Sequence, residues 1–288
     1  MSAKQLGLIL VTGLLLGSSV AMTRFAVAEV PPIALVAIRL SVATLGFAVT
    51  LLLLQRGLPR ELGVWRDIAL VGLGQCLPLL AFTMALQFVS SAIVTIFITL
   101  VPLFTSIMAH FMLSQEKLTA MKLAGLSAAF MGVMVLLFTG TTGTSASILD
   151  VRGYIFGISG AFIAALATIY ARLRLRSVDV FVVTALQFAF GLALIAPIAF
   201  ALNPVNLFAI STPGWLAILY SAMAGSYLGF LLLFYMTKHF SATAAVLPAY
   251  VMPVVSATLG VLVLGELITP PLLGGAILIL LGVFLVGH

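Results

Sequence analysis

Charge is what this chain has least of. Of 288 residues, 7% are Asp, Glu, Lys or Arg and 63% are apolar, where an ordinary soluble domain carries ~25% charged residues. A chain that poor in charge cannot cover a soluble core, so hydrocarbon is the solvent it folds in. Cysteine occurs once, at Cys76, which excludes a disulfide framework and thiolate metal spacing. No G-x-x-x-x-G-K-[ST] loop is present, and no soluble segment could house one, so the chain does not hydrolyse ATP and implies no ATPase subunit. H-E-x-x-H is also absent, as is any His/Asp/Glu cluster inside an apolar run. Catalysis would need such a base or metal site, so the expectation is a non-enzyme with no cofactor and no metal. The formal net charge of +6 is scattered over loops and forms no groove for nucleic acid.

Apolar runs are what the chain has instead. A hydrocarbon core of ~30 Å needs ~20 apolar residues per helix. Ten runs fit, over roughly 6–23, 31–54, 67–86, 90–113, 122–140, 152–173, 179–201, 213–238, 241–264 and 270–287. The alternation expected of a membrane barrel is missing, so the fold class is an all-α membrane protein of ten helices. Lys4 followed by an apolar run and Ala26-Val27-Ala28 resembles a secretory signal, but the run is long for one and Arg24 stands where a cleavage region is neutral. It reads as the first span. Cationic residues then set orientation. With the N-terminus inside, Lys4, Arg56, Arg60, Arg66, Lys117, Lys122, Arg172, Arg174, Arg176 and Lys238 collect on the inner side, leaving Arg24, Arg39 and Arg152 elsewhere. Both termini are expected to be cytoplasmic, in the plasma (bacterial inner) membrane.

The chain also repeats itself. Aligning Ser90 with Ser241 brings Pro102 onto Pro253, and after a one-residue slip Glu116, Gly125 and Gly132 fall on Glu266, Gly275 and Gly282. Weaker matches pair Trp65 with Trp215, Gly7 with Gly153 and Arg39-Leu40 with Gln187-Phe188. Residues 1–140 form a first five-helix repeat, 141–151 an outer linking loop and 152–288 a second repeat. Five is odd, so the second copy enters the membrane from the opposite side, an arrangement that lets a secondary transporter expose one site to either face.

The inverted layout, the Ile38-Arg39-Leu40 cluster, Pro102 followed by Glu116, and Pro253 followed by Leu264-Gly265-Glu266 resemble the drug/metabolite transporter superfamily in its EamA-type branch. Within the branch the chain is similar to the YddG-type amino-acid exporters. The first half departs from the pattern, with Leu113-Ser114-Gln115-Glu116 where the family often ends Leu-Gly-Glu. The resemblance implies export of amino acids. Multidrug or other metabolite export by the same fold, with or without proton coupling, stays open.

Candidate lining residues follow from helical faces. On span 4, Thr95, Thr99, Pro102, Ser106 and His110 recur every three or four residues, one face of a helix. Such a stripe either faces a pathway or bonds its own backbone. Pro102 frees the carbonyl one turn back. In span 9, Tyr250 and Pro253 take the register of Thr99 and Pro102. Gln75, Pro78 and Phe82 share a face of span 3. Tyr227 and Tyr250 lie mid-span, where a hydroxyl needs a partner. Arg39 is the one charge clearly inside a span, and it must be satisfied. It reads equally as the anchor for a substrate carboxylate and as a structural clamp. Glu116 and Glu266, at helix ends, read as hairpin caps or interfacial partners. No carboxylate lies mid-membrane and His110 is the remaining candidate for proton linkage, so facilitated alternating access of a small-molecule substrate is the expected mechanism.

Overall fold

Proline marks where this chain enters helices. Pro32, Pro213, Pro248 and Pro270 all stand in first turns, where the missing N–H would have no intrahelical partner. In a computed structural model the described residues are 3–112, 119–139, 151–202, 205–239 and 247–286. Glu116, Ser241 and residues 140–150, which include all of the expected linking loop but Val151, lie outside them. Among the described residues there is helix and no strand: α1 (Ala3–Ala26), α2 (Pro32–Leu54), α3 (Leu62–Ala85), α4 (Ser91–Thr99), α5 (Val101–Met112), α6 (Ala120–Phe138), α7 (Val151–Arg174), α8 (Val180–Leu202), α9 (Thr212–Tyr220), a π-helical stretch (Ser221–Gly229), α10 (Phe230–His239), α11 (Pro248–Leu264) and α12 (Pro270–Val286). Among the described residues, seven helical stretches are long and apolar enough to cross a membrane, and three shorter apolar ones, Ala120–Leu136, Pro248–Leu264 and Pro270–Gly282, accompany them. Large apolar side chains such as Leu52, Phe130, Phe200 and Leu262 are exposed on the outer surface, as a lipid-facing surface requires.

Two of the expected spans are interrupted along their length. Pro102 has no N–H to give the Ile98 carbonyl, and the helix breaks at Leu100, whose N–H turns back to the Phe97 oxygen at 3.0 Å. α5 then restarts with Pro102 in its first turn. The run at 213–238 becomes α9, the π-helical stretch and α10, and π-helical insertions of this kind concentrate at functional sites.

The duplication is visible in the packing. α6 and α12, the fifth helix of each repeat, cross at their glycines. A Cβ on Gly132 would stand 2.7 Å from the Gly275 oxygen, one on Gly275 3.0 Å from the Gly132 oxygen, and one on Gly282 would collide with the Gly125 oxygen. Each glycine therefore faces the repeat partner of the other. Trp65 and Trp215 play equivalent parts, their indole N–H groups tethering the preceding loop through the Pro59 oxygen at 2.8 Å and the Leu207 oxygen at 3.2 Å. Gly7 and Gly153 do not match in surroundings: nothing lies near the first, while Phe88 and Val89 crowd the second. Contacts of α1 with α11, of α3 with α7 and of α2 with α8 all join one repeat to the other.

Candidate functional site

A cation in hydrocarbon must find acceptors, and Arg39 finds hydroxyls. It lies on α2 about two turns past Pro32 and is 6% exposed. Its Nη1 donates to Thr23 Oγ1 at 2.9 Å, and its Nη2 to Ser226 Oγ at 3.0 Å and, more weakly, to Ser19 Oγ at 3.5 Å. Ser19 and Thr23 are four apart on α1 and so share a face. Their own protons are committed elsewhere, Thr23 donating to the Ser19 carbonyl at 2.7 Å and Ser19 to the Ser221 carbonyl at 3.1 Å. Both oxygens consequently turn lone pairs toward the guanidinium. Gly225 lets the π-helical stretch approach, since any side chain there would collide with Ser19 Oγ. Among the described residues, Arg39 Nε has no partner and no carboxylate lies within ion-pair distance of the group. A buried guanidinium with neutral partners and a spare donor can exchange hydroxyls for a carboxylate held bidentately, the stronger interaction.

The same π-helical stretch grips α2 a second time. Tyr227 shares a 2.6 Å hydrogen bond with Thr50 Oγ1, its ring meets Phe47 edge-on at 5.3 Å, and Gly46 leaves room for it. The other expected residues fall into two further groups. Thr95 and Thr99 are buried on α4 with their hydroxyls donated to the Ala92 and Ile96 carbonyls, both at 2.7 Å. Pro102, Ser106 and His110 are half-buried on α5, the His110 ring lying 5.1 Å from that of Phe111. On α11, Pro253 is buried and Tyr250 half-buried, the latter against the apolar core that α4 helps to build. On α3, Pro78 is buried, Gln75 half-buried, and Phe82 packs over Gly160 of α7. Two grooves open at the surface. A 640 Å³ apolar one is lined by Met22, Phe25, Pro213, Leu216, Tyr220, Met223 and Val263, and a 320 Å³ one lies among Gly57, Arg60, Glu61 and Asp179 in the loops at the opposite end. None of the expected lining residues borders either groove.

Carboxylates tie the repeats together at the helix ends. Glu29, between α1 and α2, accepts from the Ser211 N–H at 2.9 Å and the Ser211 hydroxyl at 2.6 Å, and these bonds hold its carboxyl below the usual range. Glu266, between α11 and α12, accepts from the Ser91 N–H at 2.8 Å and the Ser91 hydroxyl at 2.7 Å. Glu29 is exposed, whereas Glu266 is 7% exposed, and burial pushes its carboxyl up against the pull of those bonds and of Arg24. At the opposite end Asp67 receives Tyr170 Oη at 2.9 Å and Arg174 Nε at 3.1 Å, and Arg56 meets Asp179 at 3.1 Å. Of the two roles the sequence allows Glu266, hairpin cap or interfacial partner, the chain gives it neither within its own hairpin: it turns back and accepts from Ser91 at the start of α4 in the other repeat. Ser226, Thr23 and Thr50 escaped that reading. The signal available was depth: an arginine two turns into α2 needs polar residues at the same level of neighbouring spans.

Comparison with known proteins agrees with this architecture. The model of the EamA-like transporter family matches residues 4–138 and 151–287. A Bacillus subtilis (strain 168) protein described as the uncharacterized transporter YoaV is 22% identical over 286 residues, covering 98% of this chain and 95% of that protein. A solved crystal structure shares the fold with a TM-score of 0.69 at 23% identity, over 99% of this chain and 96% of the other.

Proposed function

The chain belongs to the EamA-like transporter family and is a multi-pass membrane protein that moves small solutes; from that premise we propose that it exports neutral and aromatic amino acids by alternating access. In this reading all ten apolar stretches cross the bilayer and both termini are cytoplasmic, which puts Glu29, Ser91, Ser211 and Glu266 on the outer face. Arg39 carries the reading. A buried guanidinium whose described partners are Thr23, Ser19 and Ser226 attracts a carboxylate and repels an organic cation. The substrate α-carboxylate displaces two of the hydroxyls. Spans 3, 4, 8 and 9 form the route, with Gln75, Phe82, Thr99, Ser106 and Tyr250 facing it as the helices part at the Leu100 break and the π-helical stretch. Transport runs down the substrate gradient in this reading, because among the described residues no carboxylate lies within ion-pair distance of Arg39 to relay a proton.

Ligand-induced stabilisation of the purified protein separates the substrate classes. A ligand at about 100 times its Kd adds ~2.7 kcal/mol to the bound state. Phenylalanine is expected to raise Tm, and phenethylamine, which lacks only the carboxylate, is not. Equal stabilisation by both, or by the amine alone, would move the protein to the multidrug class.

A further inference from the structure

The Leu264-Gly265-Glu266 segment does more than end a helix. Gly265 takes φ +64°, a left-handed conformation that L side chains resist, and the Glu266 N–H closes back on the Gly260 carbonyl at 2.9 Å, the termination expected of a glycine cap. The reversal lays the Glu266 side chain across α11 at Gly260, where any Cβ would collide with Glu266 Oε2. From there the carboxylate reaches α4 of the other repeat and takes both donors of Ser91, while Ser91 Oγ also lies 3.3 Å from the Ser256 oxygen. One side chain thus joins the second repeat to the first at the end of the helix that carries Thr95 and Thr99.

We propose that Glu266 and Ser91 form a proton-sensitive latch that closes the outer face of the carrier, and this rests on the alternating-access reading above. Of the elements around the carboxylate, α1 presents Arg24, whose Nε is 4.0 Å away, α4 presents Ser91, and α11 presents Gly260 and Ser256; Arg24 is the charged group among them. The ion pair at 4.0 Å is too long for a hydrogen bond, so closure holds a buried carboxylate on the two Ser91 donors, with the Ala92 backbone N–H beside them, and a distant charge. Opening hydrates it. Burial raises the Glu266 carboxyl above its ordinary value in the closed state, so the closed state binds the proton more tightly than the hydrated open one. Closure is strongest below the ordinary carboxylate value of about 4.3. It weakens as pH rises from there through the raised value, then levels off. The proton returns to the side it came from, so pH sets the population of the closed face without driving flux. Glu29 supplies the contrast: its carboxyl is lowered by Ser211, so its bonds are present above the ordinary carboxylate range and lost only as pH falls below it.

The test is a distance distribution between spin labels on Gln87→Cys and Ile268→Cys in nanodiscs, with Cys76→Ala as background and no substrate. Both labelled positions are exposed, one four residues before Ser91 and one two residues after Glu266. A closed and an open population are expected, their ratio shifting toward open with rising pH by at most about tenfold per pH unit for one proton. Glu266→Gln, a neutral mimic of the protonated acid, is expected to stay closed and lose the pH response. Ser91→Ala is expected to favour the open population, and Glu29→Gln to leave the response between pH 5 and 8 as it is in the parent. Two populations whose ratio ignores both pH and Glu266→Gln would overturn the latch while leaving alternating access standing. A single population in every variant and at every pH would overturn both.

Discussion

Arg39 and Glu266 are buried charges satisfied in different ways. Arg39 is surrounded by hydroxyls, two of which, Ser19 and Thr23, are oriented by their own donations to backbone carbonyls, so much of its site is built before any ligand arrives. Lysine carries the same charge but no planar fork. Arg39→Lys should therefore fold, since the ammonium still reaches hydroxyls, yet lose at least about tenfold in apparent substrate affinity, the equivalent of ~1.4 kcal/mol; equilibrium binding of labelled phenylalanine measures it. Arg39 was legible in the sequence because charge is so scarce there. Its partners were not, because Ser and Thr occur throughout membrane helices and mostly bond their own backbone, as Thr95 and Thr99 do here. Glu266 misled for a related reason: a carboxylate at a helix end reads as solvated, and only the path of the chain after Gly265 reveals that it is buried.

Helices show the same division between what pattern discloses and what packing decides. Apolar runs marked the spans, and Pro102 marked trouble in the fourth. That the break would settle at Leu100, two residues earlier, depends on which carbonyl loses its donor. The π-helical stretch had no proline to announce it; Gly225 and Gly229 were visible, but their purpose is contact with Ser19 and Leu16 of α1. Gly225→Val should push α1 away and separate Ser19 and Ser226 from Arg39, abolishing phenylalanine binding while Tyr227 keeps its grip on Thr50. At the α6 and α12 crossing, Gly132→Leu must displace the Gly275 backbone, and overpacking of that kind costs about 1–3 kcal/mol. A lowered Tm of the detergent-purified protein, with binding intact, is the expected signature. Binding lost with Tm unchanged would place that crossing in the transport route instead.

At the scale of the whole molecule, the two-repeat layout is the feature the sequence disclosed most fully. Five aligned residues were enough to pair the halves, and Gly132, Gly275, Gly282 and Gly125 then meet across one crossing. Polar ties between repeats stand at both ends of the helices, Glu29 to Ser211 and Glu266 to Ser91 at one, Arg56 to Asp179 and Asp67 to Arg174 at the other. Of these, Arg56 with Asp179 is a largely exposed ion pair, a kind that contributes about 0–1 kcal/mol, whereas Glu266 and Asp67 are buried and need water or a new partner once their ties part. Ties made to water-exchangeable polar groups suit faces that open in turn, since water replaces the lost partners on opening.

The claim that joins these scales is that a carboxylate-bearing solute crosses by way of Arg39. Efflux from proteoliposomes loaded with labelled neutral and aromatic amino acids, beside an organic cation and with and without an imposed pH gradient, tests it directly in the parent and in Arg39→Lys. Saturable efflux of the amino acids, independent of the gradient and needing at least about tenfold more substrate for half-saturation in Arg39→Lys, is the predicted result. Efflux of the cation alone, or amino-acid efflux unaffected by Arg39→Lys, would contradict it.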